Sequence, residues 1–340
     1  MPAAAAPGET GSVSGPDLDE PPGRAALLAR AEALILGSEP RFTPPEVWED
    51  AGVAEGLARQ LWLAMGFPQV PDDEASLTGR DGQALRRAGE LLADGTIDAA
   101  HLVKQTRVMS QALSTIAASH VEAITAPAGG RSLLSALVDG GADPMPLLDE
   151  LLSYLYRRHL FAAVERAAFS FEADEQTLAP LAVGFADIAG FSAVTAAATE
   201  EELTGLVDEF AAVGADLVAA AGGRVVKLIG DEVMWSVEDP GRAAEVALAL
   251  VATGERPGAP AVHVGVAWGP VLSHHGDLYG STVNTASRLT DAARAGTALV
   301  DAGLAGSLAG DAGFELRRVR LRPLQGLGTV RAFALRARGR

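Results

Sequence analysis

Cysteine is absent from this chain, which excludes disulfides, thiolate metal sites and cysteine nucleophiles. A cysteine-free chain suits a reducing compartment, so a cytoplasmic location is expected. Positive charge is scarce: 27 Lys and Arg stand against 44 Asp and Glu, a formal net charge of -17. That balance repels a phosphate backbone and argues against a general nucleic-acid binder. No run approaches the ~20 continuous apolar residues of a membrane-spanning helix, and the opening residues show no basic-then-apolar leader pattern. Large apolar side chains are nearly missing from residues 1–23 (MPAAAAPGETGSVSGPDLDEPPG), which read as a disordered tail.

What is present suffices for two packed domains: 340 residues, 48% of them hydrophobic. Residues 24–143 read as an all-helical domain. RAALLARAEALIL places Leu27, Leu28, Ala31, Leu34 and Ile35 on one stripe, and Thr43-Pro44-Pro45-Glu46 resembles a helix cap. Further helices are expected from Ala84 to Leu92 and from Asp98 to Ala118. The stretch 42–68 has helix-turn-helix rhythm about Ala51-Gly52-Val53, but Arg59 is outnumbered there by acidic residues, so a structural helix pair is the favoured reading over DNA binding. Trp48, Trp62 and Phe67 are then expected in the core. Residues 144–177 form a linker helix, with Leu148, Leu152, Leu155 and His159 on one stripe.

From residue 178 to 340 the pattern changes to α+β, in βαββαβ order, which suits a ferredoxin-like sheet with helices on one face. Strands are expected at 181–187, 261–268 and 298–300, helices at 200–221, 240–252 and 282–293, and terminal strands near 314–321 and 329–336. VVKLIGDEVMWSV (225–237) reads as a hairpin turned at Gly230-Asp231. Lys227, flanked by Val226 and Leu228, needs either a partner or an exposed strand face. Asp187 ends a strand just before Gly190-Phe191-Ser192 turns into a helix. Asn284, seven residues beyond Asp277, and Arg288 lie one helical turn apart. His274 and His275 have the look of a metal pair but are expected in a loop.

The three stretches 181–194, 225–237 and 276–289, in that order, resemble the catalytic domain of class III nucleotidyl cyclases. The resemblance implies that Asp187 and Asp231, with the carbonyl of Ile188, bind two Mg²⁺ or Mn²⁺ ions. It implies that Lys227 and Asp277 read the purine and that Asn284 and Arg288 act on the transition state; Phe191 and Arg322 are further expected substrate contacts. The residue chemistry agrees. Cyclisation sends the ribose 3′-hydroxyl onto the α-phosphorus as pyrophosphate leaves, and two hard cations ~4 Å apart neutralise the attacking and departing oxygens. Adenine offers an acceptor at N1 and a donor at its 6-amino group, which a lysine and an aspartate match, and guanine presents the reverse. ATP is therefore the expected substrate, ahead of GTP. One departure stands out: Gln325 occupies the place where the family usually has a triphosphate-holding lysine, leaving Arg322 or Arg320 to supply that charge.

In the family, one subunit supplies the metal aspartates and the other the purine pair, asparagine and arginine. A chain carrying the whole set implies a homodimer with two composite sites. The layout also resembles soluble actinobacterial cyclases whose N-terminal domain inhibits catalysis, releases it in acid, dimerises and is associated with a fatty acid. Histidine changes charge nearest neutrality, so His101, His120 and His159 are candidate sensors, with His159 on the linker stripe foremost. For each, a histidine with no regulatory task remains the plainer alternative. Two rival functions remain: a catalytically silent, nucleotide-binding regulator, which Gln325 favours, and a DNA-binding regulator fused to a cyclase fold.

Overall fold

The computed structural model describes residues 24–125, 145–171, 180–321 and 330–338. The expected tail, Arg322 and Gln325 lie outside them. The chain divides into two compact units, residues 1–159 and 160–340. Among the described residues, no helix is long and apolar enough to cross a membrane.

The first unit is helical. It comprises α1 (Arg24–Leu36), α2 (Pro44–Ala51), α3 (Glu55–Ala64), α4 (Gly79–Ala93) and α5 (Ala99–Thr125). Local chemistry sets the boundaries. The Thr43 N–H donates to Glu46 Oε2 at 2.8 Å, and the Thr78 N–H to Asp81 Oδ2 at 2.7 Å, so two helices open with reciprocal caps. Val47, Ala58, Leu61, Ala64 and Leu77 are buried. The three aromatics expected in this core are not there: Phe67 is 52% exposed, and Trp48 and Trp62 are half-buried. The tryptophans line a shallow, open pocket with Pro44, Arg59, Gln69, Val70 and Leu77. The Trp62 indole N–H stays at the rim, donating to the Pro68 carbonyl at 2.7 Å. Arg59 is bound to Asp72 at 2.7 and 2.8 Å and to Glu55 at 3.0 Å, so the cation a DNA-reading helix would need is already neutralised.

Helix α6 (Met145–Phe171) is unbroken across the boundary between the units. Leu148 and Leu152 are half-buried, whereas Leu155 and His159 are exposed.

The second unit is built on one sheet of seven described strands, ordered β2-β3-β1-β4-β7-β9-β8. Its first half, β1 (Pro180–Ile188), α8 (Glu200–Ala220), β2 (Arg224–Ile229), β3 (Glu232–Val237), α9 (Pro240–Thr253) and β4 (Val262–Pro270), has the expected order, with α7 (Phe191–Ala197) inserted after β1. Then follow β5 (Leu272–His274), β6 (Asp277–Tyr279), α10 (Ser281–Ala292), β7 (Ala298–Asp301), α11 (Ala302–Ser307), β8 (Phe314–Val319) and β9 (Ala332–Ala337). Of the two histidines expected in a loop, His274 ends β5 of the small β5–β6 hairpin and His275 lies in its turn.

Helices cover both faces of the sheet, not one. Ala182, Ala186, Val233, Trp235, Val264 and Val266 pack with Phe210 and Val218 of α8 and Leu250 of α9. On the opposite face Val183, Phe185, Met234 and Ala267 pack with Ala286 of α10. Gly265 permits this: a Cβ there would come within 2.2 Å of the Thr290 nitrogen and 2.5 Å of the Ala286 carbonyl.

Candidate active site

The period-two alternation of β1 decides which face its polar end meets. Val183, Phe185 and Asp187 share a side, so Asp187 emerges on the face that α10 covers. The antiparallel register places Glu232 of β3 on one flank of Asp187 and His263 of β4 on the other. His263 Nε2 lies 2.9 Å from Asp187 Oδ2. Asp231 follows Gly230 in the β2–β3 turn, where the Gly230 φ of 64° suits a residue without a Cβ.

Protonation within this group is displaced. Burial pulls the Asp187 carboxyl upward, but hydrogen bonds from His263 and Asp231 outweigh it and hold Asp187 below its ordinary range. Burial and the adjacent Asp187 carboxylate push Asp231 up to about 6. Burial and the charges of Asp187, Asp291 and Asp231 push Glu232 up to about 7. Two carboxylates held together in a half-buried place keep one proton between them, and a divalent cation relieves the same repulsion. Among the described residues no cluster of three or more His, Cys, Asp or Glu is arranged to hold a metal by itself. A pair of carboxylates fits Mg²⁺ or Mn²⁺ when phosphate oxygens and water complete the shell.

The second pair is closed. Lys227 stands opposite Met234, again on the α10 face, and its Nζ donates to Asp277 Oδ2 at 2.6 Å. Asp277 Oδ1 accepts the Leu278 N–H at 2.8 Å. Burial raises the Asp277 carboxyl, but Lys227 and the Leu278 N–H outweigh it, so Asp277 sits below the usual carboxylate range. Arg224 Nη1 donates to the Gly276 carbonyl at 2.9 Å, giving the β5–β6 hairpin a second tie to β2. Fifty residues of separation between Lys227 and Asp277 are thus closed by a direct ion pair.

Asn284 and Arg288 lie on the exposed side of α10, one turn apart. Arg288 Nη1 donates to Asp291 Oδ2 at 2.9 Å. Phe191 opens α7 and packs half-buried against the core, and Ile188 is buried. In the helical unit, His101 Nδ1 lies 2.6 Å from Asp98 Oδ2 on the surface, and His120 is half-buried. The His274 and His275 rings lie with centroids 4.0 Å apart, tilted 58° to each other. Sequence reasoning missed His263, Glu232, Arg224 and Asp291. The one signal available was a histidine breaking the apolar run of β4, at a position whose neighbours the sequence alone does not reveal.

This sheet, with an aspartate pair at one strand end and a lysine–aspartate pair beside it, belongs to a known class. The family described as the adenylate and guanylate cyclase catalytic domain matches residues 173–337, and the chain belongs to this class III cyclase family. Its relatives include an adenylate cyclase of Streptomyces coelicolor, 41% identical over 293 residues, covering 84% of this chain and 77% of that one. An adenylate cyclase of Glutamicibacter nicotianae is 34% identical over 337 residues, covering 91% and 82% of the two chains. A protein of Mycobacterium tuberculosis named pH-sensitive adenylate cyclase is 32% identical over 336 residues, again covering 91% and 82%.

Proposed function

We propose that this chain is an adenylyl cyclase that converts ATP to 3′,5′-cyclic AMP and pyrophosphate at composite sites of a homodimer. The observation that carries this reading is the Lys227–Asp277 ion pair, on the sheet face that also bears Asp187. Its donor and acceptor pattern matches adenine: Lys227 donates to ring N1 and Asp277 accepts from the 6-amino group. A guanine there would set donor against donor and acceptor against acceptor at Lys227 and Asp277, which lowers its use.

Asp187 and Asp231, with the Ile188 carbonyl, would hold two Mg²⁺ or Mn²⁺ ions, which would supply positive charge at the 3′-hydroxyl and at the departing pyrophosphate. Asn284 orients the ribose. Arg288 exchanges Asp291 for the α-phosphate oxygens, where its planar guanidinium meets spreading negative charge. Phe191 and Arg322 complete the substrate contacts. In the dimer each site takes its aspartate pair from one chain and its purine pair, asparagine and arginine from the other.

The helical module restrains catalysis and releases it in acid, a reading supported by alignment of 91% of this chain with a relative whose name carries pH sensitivity. Among the described residues, the pocket of that module gives no support for a fatty acid: it is shallow, and the cation lining it, Arg59, is already paired with Asp72 and Glu55.

The test is product formation by the full-length chain from ATP and from GTP with Mn²⁺, at pH ~5.5 and ~8, on either side of the histidine range. Cyclic AMP in excess of cyclic GMP, and more of it in acid, is the expected outcome. Equal rates at the two pH values would remove the acid switch and leave the enzyme. No product at either pH, with ATP bound, would favour the silent regulator and direct attention to Gln325.

A further inference from the structure

His263 has no role in the reading above, yet its surroundings are specific. Its chain neighbours Val262 and Val264 are buried in the core under α8 and α9, so the imidazole is turned to the opposite face. There it is 16% exposed and sits directly across from Asp187 in the β1–β4 register. An ionised carboxylate only accepts, so the 2.9 Å contact requires Nε2 to carry the hydrogen and donate it to Oδ2. Two paired strands fix both Cα positions. The bond then fixes the remaining freedom, the rotation of the Asp187 carboxylate about its own side-chain bonds.

We propose that His263 is a positioning residue: through its hydrogen bond to Oδ2 it orients the Asp187 carboxylate so that the remaining lone pairs face the cation. This rests on the assignment of Asp187 as a metal ligand. A carboxylate offers about four acceptor sites, so one bond from His263 leaves ample capacity for a cation. A short strand-borne carboxylate without such a partner can rotate away, and hydrogen bonds that orient metal ligands are worth about 10- to 100-fold in metal affinity. Glu232, on the other flank, offers no equivalent bond to Asp187 among the described contacts, and Asp231, which also bonds Asp187, is itself assigned to the cations, which leaves His263 as the orienting side.

The experiment measures Mn²⁺ affinity by electron paramagnetic resonance, using the full-length chain saturated with 3′-deoxy-ATP, which lacks the attacking hydroxyl. His263→Leu is expected to weaken Mn²⁺ binding about 10- to 100-fold. His263→Gln, whose amide nitrogen can reach the place of Nε2, is expected to restore most of the affinity. His263→Asn, polar but too short, is expected to behave like the leucine variant and serves in its place if that variant does not fold. In an Asp187→Asn background, His263→Leu is expected to cost nothing further.

Wild-type Mn²⁺ affinity in His263→Leu, with Asp187→Asn impaired, would overturn the inference and leave the metal assignment standing. A full additional loss in the Asp187→Asn background would overturn it as well, because His263 would then act by another route. Unchanged affinity in Asp187→Asn itself would remove the metal assignment together with the inference.

Discussion

The two units differ in what displaces their carboxyl groups. In the helical unit, lowered carboxyls lie at the surface and owe the shift to capping bonds: the Thr43 N–H lowers Glu46, and the His101 N–H, ahead of its side chain, lowers Asp98. The cyclase unit has such a cap too, where the Thr199 N–H lowers Glu202, but its half-buried carboxyls Asp231 and Glu232 owe their shifts to burial and to neighbouring carboxylates, reaching about 6 and about 7. The first kind of shift shapes helix ends. The second stores electrostatic repulsion that a cation can relieve, and it places titration near neutral pH inside the cyclase unit itself.

That contrast can be broken by substitution. Asp187→Asn or Asp231→Asn should cost cyclic AMP formation at least about a hundredfold, since each removes charge that holds the transition state. A rate within a few-fold of the parent chain would end the metal reading. Next in size, replacing Asp277 by asparagine should narrow the preference for ATP over GTP by about tenfold or more, because the acceptor for the 6-amino group is weakened and Lys227 loses its partner. Competition kinetics with both nucleotides measures it.

A pH series on the metal-free chain sharpens the comparison. Asp231 and Glu232 have folded-state values raised above their ordinary ones, so their contribution is fully present below about pH 4. It is lost as pH rises through about 6 and about 7. Relative to the parent chain, Glu232→Gln should therefore melt higher at pH 8 than at pH 5. The same linkage makes Mn²⁺ bind more tightly as pH rises through about 6, opposing any acid activation by the helical unit. An activity profile rising in acid would thus report a module effect larger than the loss at the metal site.

The smallest effect expected is at the caps. Thr199 Oγ1 accepts the Glu202 N–H at 3.2 Å, so Thr199→Ala should destabilise the cyclase unit by about 1 kcal/mol, a drop of about 2–4 °C in melting temperature. Thr43→Ala tests the helical unit in the same way, and unchanged melting in both would show that tertiary packing overrides the caps.

Legibility followed the range of the interaction. The hairpin turn at Gly230-Asp231 and the Thr43–Glu46 helix start were readable because each depends on a few adjacent residues. The aromatics Trp48, Trp62 and Phe67 misled, because composition says that they are apolar but not that the tryptophans edge a pocket while Phe67 stays exposed.

By itself, the amino-acid order determined the strand and helix succession, the residues available for chemistry and the spacing of Asn284 and Arg288. Periodicity, caps and turns act locally, and they carry that information. Only the tertiary structure decided that α10 covers the second sheet face, that Lys227 meets Asp277 across 50 positions, and that Glu232 and His263 flank Asp187. Strand register and the close approach allowed by Gly265 are set by packing of the whole sheet, and a register shift of one residue would turn each of those side chains to the other face.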